Sequence, residues 1–248
     1  MLAPLYHLRR AFISAGLLMT LTLSSLYQAL VADLPDPGDL VACAVPARTE
    51  GYPPHARACL PLDEIPVYLC QATVAVEDAS FYDNSYVGPD TRRGQAGEAV
   101  SGGSPLAQQA ARLILPSHDR RGEPTLARRL REALLAQRLA RTWPTEAILE
   151  TYLNHARYGQ TAYGVEAAAS VYFGVGARDL SLAQCALLAG LPQAPAGFDP
   201  LTDLEAARAR QRAVLQAMVH GGYISQFEAD LAHTEPLRFA EPLDLPIP

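Results

Sequence analysis

Residues 11–32 read AFISAGLLMTLTLSSLYQALVA, 22 residues without a single charge. As a helix rising about 1.5 Å per residue, the run reaches roughly 33 Å, enough to cross a hydrocarbon core of about 30 Å. Arg9 and Arg10 precede it, and Asp33 and Asp36 follow it. Basic residues gather on the cytoplasmic flank of a membrane helix. The expected topology is a cytoplasmic N-terminus at 1–10 and a single transmembrane anchor at 11–32, with all later residues on the outer side. A cleaved signal peptide and a buried helix are the alternatives. The run exceeds the usual apolar core of a signal peptide, and no clean A-x-A site follows.

The chain has 248 residues, 49% hydrophobic and 19% charged, with a net charge of −6. This balance excludes a disordered or collagen-like chain and suits one ordinary domain with appendages. All 20 basic residues are Arg. No mechanism that needs a lysine amine, such as a Schiff base or a P-loop lysine, is open to it. Residues 33–66 hold seven prolines and read as an irregular stalk. Cys43 and Cys59 lie there, on the oxidising side of the expected membrane. A disulfide between them would close a loop of about 17 residues. Cys70 and Cys185 fall in apolar helical patterns and read as inert core thiols. No CxxC pair or Cys/His cluster has metal-ligand spacing, so no zinc site is expected.

From 67 to 232 the apolar spacing is helical, and no run alternates long enough for a sheet. The spacing predicts helices near 66–80, 104–115, 124–142, 144–155, 163–173, 181–190, 203–220 and 225–232. Ser104 can cap a helix whose first residue is Pro105. Ser181 with Gln184 forms a capping box. The segment 233–248 has four prolines and no pattern, and reads as a surface tail. Charge is uneven. Residues 33–111 carry 4 Arg against 11 acids, 112–141 carry 8 Arg against 3 acids, and 142–248 carry 6 Arg against 12 acids. A basic segment in an acidic chain points to a local anionic ligand, with a solvated helix face as the plain alternative. Nucleic acid fits poorly. The segment lies on the wrong side of the expected membrane and lacks interleaved aromatics.

Four constellations could carry chemistry. Glu77 closes the apolar run ATVAV in EDASFY, where loss of water on one side strengthens a carboxylate as a base. A surface pair of acids at a helix end is its plain reading. GGSPLAQQAAR at 102–112 brings a Gly-Gly approach into a capped helix start, a place where free N–H groups can meet phosphate. Gln108 and Arg112 follow one turn apart. RRLRE at 128–132 places Glu132 four residues after Arg128 and three after Arg129, on one face with Leu135 and Leu139. Finally, ILETYLN at 148–154 sets Glu150 and Asn154 on one helix face, able to hydrogen-bond to another element. Tyr158-Gly159 and Tyr163-Gly164 after it speak for close packing.

Taken in order, these stretches resemble glycosyltransferase family 51, the peptidoglycan glycosyltransferases. That family runs EDxxFxxHxG, GGSTLTQQxxK, RKxxE, ILExYLN and a YFG block leading to LAGLPQAP. This chain has EDASFYDNSY, GGSPLAQQAAR, RRLRE, ILETYLN, VYFG and LLAGLPQAP. The resemblance covers 67–220. It implies a mostly α fold: a lysozyme-like helical transglycosylase domain, here at 67–232, behind an N-terminal single transmembrane helix. The substrate it implies is lipid II, joined to a nascent glycan through a β-1,4 bond with release of undecaprenyl pyrophosphate. With no further domain in the sequence, the resemblance is to the monofunctional form. Glu77 matches the general base and Glu132 the second carboxylate, which acts on the pyrophosphate side. Arg112, Arg128 and Arg129 match the phosphate-facing cations; Ser104, Gln108 and Asn154 match polar substrate-binding positions. The resemblance leaves room for a divalent cation, Mg or Mn, at the pyrophosphate. It places the protein in the bacterial inner membrane, with other cell-wall synthesis proteins as partners.

The departures are specific. Pro105 and Ala107 stand where the family has Thr, and Asn84 and Tyr86 where it has His and Gly. Residues 85–101 are shorter and more polar than the family's membrane-contacting jaw. A weak or inactive relative serving as a scaffold, and a lysozyme-like enzyme that cleaves glycan with two carboxylates, are the rival readings.

Overall fold

The computed structural model describes residues 18–22, 24–25, 27–28, 32, 34–36, 59–82, 104–115, 126–159 and 162–240. Eight α-helices lie among those from residue 59 on: α1 Val67–Glu77, α2 Pro105–Ile114, α3 Leu126–Thr142, α4 Thr145–His155, α5 Val165–Phe173, α6 Leu182–Gly190, α7 Leu204–His220 and α8 Gln226–Thr234. Each falls where the apolar spacing placed it. Their starts have local causes. Ser181 and Ser225 each form a capping box, with Gln184 and Glu228, and Asp203 accepts from the Ala206 N–H at 2.9 Å. The mostly α class expected from sequence holds among the described residues. The only β feature there is a single bridge between Arg157 and Tyr163.

α1 and α6 form the centre. Leu69, Ala72 and Val74 of α1 and Ala183, Cys185, Ala186 and Leu188 of α6 are fully buried. α1 packs on α6 and α7, α7 carries α8, and α2 packs on α3 and α4. Small residues let these helices approach closely. Gly164 enters α5 at φ +82°, and a Cβ there would lie 2.5 Å from the Asn154 carbonyl oxygen at the end of α4. Only glycine meets both conditions.

Two segments are docked where the sequence predicted loose chain. Within 33–66, residues 59–66 are part of the body. The Leu60 N–H donates to Asn154 Oδ1 at 2.9 Å, and Asn154 Nδ2 donates to the Leu60 carbonyl at 2.8 Å. The Leu62 N–H donates to Glu150 Oε2 at 3.0 Å. These two side chains of α4 do for the segment what a neighbouring strand would do. Within 233–248, residues 233–240 are strapped down. Arg208 donates to the carbonyls of His233 and Glu235, the Ala240 N–H donates to the Tyr172 carbonyl, and Phe239 stacks on Phe173.

Cys59 is disulfide-bonded, Cys43 lies outside the described residues, and Cys70 and Cys185 are buried free thiols. Most of the expected anchor at 11–32 is also outside the described residues. The described part of it is helical, and Leu18, Met19, Leu21 and Tyr27 are exposed. Among the described residues no helix is long and apolar enough to cross a membrane.

Two outcomes follow. Asn154→Ala leaves the buried N–H and C=O of Leu60 without partners, and lowers stability by about 2–3 kcal/mol in urea denaturation at unchanged slope. Burial pushes the Cys70 thiol up to about 11. Its alkylation rate in the native protein, followed by mass spectrometry, therefore keeps rising beyond pH 9, where an ordinary thiol levels off.

Candidate active site

Glu77 is the last residue of α1, and its half-buried carboxylate is gripped from two other helices. Gln109 Nε2 of α2 donates to Oε2 at 2.6 Å, and the Tyr152 hydroxyl of α4 donates to Oε1 at 3.3 Å. Burial first, and then the Glu77 charge, push the Tyr152 phenol far above its ordinary range. Tyr152 therefore remains a proton-bearing donor. One donor on each oxygen fixes the carboxylate plane and leaves lone pairs on both oxygens for a further proton.

The next residue anchors α2. Asp78 is buried, and its carboxylate accepts from the Ser104 hydroxyl and, at 3.4 Å, from Ser80. Ser104 in turn accepts from the Ala107 N–H at 3.3 Å, with Pro105 at the first helical position. One hydroxyl thus caps α2 and ties it to the end of α1. The start of α2 and the base on α1 are held as a unit.

On α3, Arg128 Nε pairs with Glu132 Oε1 at 2.7 Å, and both are half-buried. Leu135 and Leu139 beneath them are fully buried. An Arg placed before a Glu at this spacing is the less favourable order on a helix. Arg128, Arg129 and Arg131 also crowd the first two turns, where the helix dipole already puts positive charge.

Residues 47–219 match the transglycosylase family model. The chain belongs to the transglycosylase family. It is 37% identical over 221 residues to penicillin-binding protein 1A of Aquifex aeolicus, covering 83% of this chain and 30% of that protein. A candidate transglycosylase of Cupriavidus necator is 40% identical over 190 residues, covering 74% of this chain and 80% of that protein. Penicillin-binding protein 1A of Escherichia coli is 40% identical over 190 residues, covering 74% and 22%. The chain thus spans about a third or less of the penicillin-binding proteins it matches.

Within this transglycosylase domain the structure sorts the residues picked out by sequence. Arg128 and Glu132 meet as their spacing implied. Arg112 is exposed on α2, which packs beside α3, and Arg129 is exposed on α3. Two residues make their contacts within the fold, and Asn154 hydrogen-bonds to another element as its helix face suggested. Asn154 is buried with its amide engaged by Leu60, and Nδ2 also donates to the Glu150 carbonyl. It holds the fold and has no donor left for a substrate. Ser104 gives its proton to Asp78, so it positions α2 and offers no hydroxyl hydrogen to a phosphate. Gln108 is half-buried beside the residue that reaches Glu77, which is Gln109. Sequence reasoning missed Gln109, Tyr152 and Asp78. Tyr152 was visible as the tyrosine of ILETYLN, two residues after Glu150.

Among the described residues no three His, Cys, Asp or Glu side chains gather as a metal-ligand set. Glu132, the expected second carboxylate, faces a guanidinium.

Ser104→Ala removes a cap and the donor to a buried carboxylate together. It is expected to lower stability by about 1–2 kcal/mol. Glu132→Gln changes it by no more than about 0.5 kcal/mol, because the pair is partly solvated and in the weaker order. Urea unfolding of both variants checks the contrast.

Proposed function

We propose that this chain is a peptidoglycan glycosyltransferase that polymerises lipid II into β-1,4 glycan on the outer face of the bacterial inner membrane, held there by a single anchor at 11–32. The observation that carries this reading is the Glu77 carboxylate, gripped by Gln109 and Tyr152 at the junction of α1, α2 and α4. In the reaction Glu77 takes the proton from the 4-hydroxyl of the incoming lipid II. That oxygen attacks C1 of the growing chain from the face opposite its pyrophosphate. The C1–O bond to the pyrophosphate breaks, the electron pair leaves with the undecaprenyl pyrophosphate, and the configuration at C1 inverts.

Negative charge develops on the departing pyrophosphate, and prepositioned cations stabilise it. Arg112, Arg128 and Arg129 supply them. Glu132 acts as a positioning residue that holds the Arg128 guanidinium, and Arg128 touches the phosphate. The exposed apolar side chains Leu18, Met19 and Leu21 on the helical part of 11–32 support a lipid-facing anchor. A lysozyme-like arrangement of the catalytic helices and association with other cell-wall synthesis proteins complete the reading.

Polymerisation of fluorescent lipid II by the detergent-solubilised full chain tests it. Long glycan ladders are expected. Glu77→Gln should slow them by about 10²–10⁴-fold, the usual worth of a general base. Tyr152→Phe should slow them about tenfold, through loss of one hydrogen bond to the carboxylate. Binding of lipid II without product would replace this reading with that of a scaffold, and shortening of finished glycan with that of a hydrolase.

A further inference from the structure

A concavity whose lining does not include Glu77 lies between the docked segment 59–67 and α4. It is an open cleft of about 910 Å³. Its apolar lining includes Pro61, Pro66, Val67 and Tyr82, and Val67 and Tyr82 are exposed. Its charged lining has a clear sign. Asp63 and Glu64 stand on the short 3-10 turn Leu62–Glu64, and Glu146 and Glu150 on α4 across from it; among the described residues Arg178 is the one cation in the lining. Four acids against one arginine leave the described lining three charges negative.

The acids differ in what they already hold. Glu64 pairs with Arg178 at 2.5 Å, and Glu150 accepts the Leu62 N–H. Asp63 and Glu146 are exposed, with no hydrogen bond or ion pair among the described residues. The acids stand on two walls and do not converge as a metal-ligand set. A point ion cannot meet them all. Anionic lipid headgroups and phosphates are repelled. An occupant that satisfies both walls is extended, carries several cations and has apolar surface between them.

We propose that this cleft docks a cationic peptide segment of a partner protein, with Arg or Lys side chains against Asp63 and Glu146 and apolar side chains against Pro61, Pro66 and Tyr82. The site goes beyond the glycosyl-transfer reading and does not depend on it. None of its charged residues belongs to the catalytic machinery.

The test is binding of a fluorescent, terminally blocked nonapeptide of alternating Arg and Leu to the full chain in a non-ionic detergent, followed by anisotropy. The control peptide carries neutral citrulline in place of each Arg. The Arg peptide should bind at least about fivefold more tightly than the citrulline peptide, and the difference should shrink as salt rises. Neutralising both free acids, in Asp63→Asn with Glu146→Gln, should weaken the Arg peptide by a similar factor. Asp63→Glu with Glu146→Asp, which keeps both charges, should retain binding and so separates charge from folding. Equal binding of the two peptides, equal binding to the neutralised variant, or no binding at all would overturn the proposal. Because no lipid II enters the assay, these outcomes stand whether or not the chain polymerises glycan.

Discussion

The hydrogen bonds that converge on Glu77 join three helices that are far apart in sequence. Gln109 lies 32 positions after Glu77 and Tyr152 lies 75 after it, so neither contact forms until α1, α2 and α4 have found one another. The carboxylate is at once a tie and the proposed reacting group. Asp78 next to it repeats the device towards α2 through Ser104. Two adjacent acids thus fix the end of one helix against the start of another. Packing elsewhere need only bring those ends within reach.

The electrostatics of α3 run the other way. Most helices place acids early and bases late, in line with the dipole. α3 begins with arginines and pairs Arg128 with Glu132 in the weaker order. In the proposed reaction that charge faces the departing pyrophosphate.

What the sequence disclosed, and what it hid, divides along contact range. Helix positions were legible because their causes are local: Ser104 before Pro105, Ser181 with Gln184, and apolar spacing through ATVAV and LLAG. The Arg128–Glu132 pair was legible for the same reason, since four residues on a helix determine who meets whom. Contacts between helices were not. Gln108 and Gln109 are equally polar in sequence, and only the roll of α2 against α1 decides that Gln109 reaches the carboxylate. Glu150 and Asn154 were legible as side chains that hydrogen-bond to another element, but which element was not, because their partner is a backbone, which leaves no mark in a side-chain pattern. The same blindness made residues 59–66 look like a loose stalk. Prolines there forbid regular structure but do not forbid docking when α4 provides the missing hydrogen bonds. The tail at 233–240 was hidden likewise, since its hold comes from Arg208 and Phe173, 25 or more residues away.

The capture of Leu60 also has a mechanical meaning. Its N–H and C=O are both held by one amide, that of Asn154, and Cys59 beside it is covalently cross-linked. A pull on the chain upstream therefore cannot peel these bonds away one after the other. Both bonds share the load and fail together, and α4 receives the force along with them. The helix that carries Tyr152 is thus also where tension on the polypeptide enters the folded body.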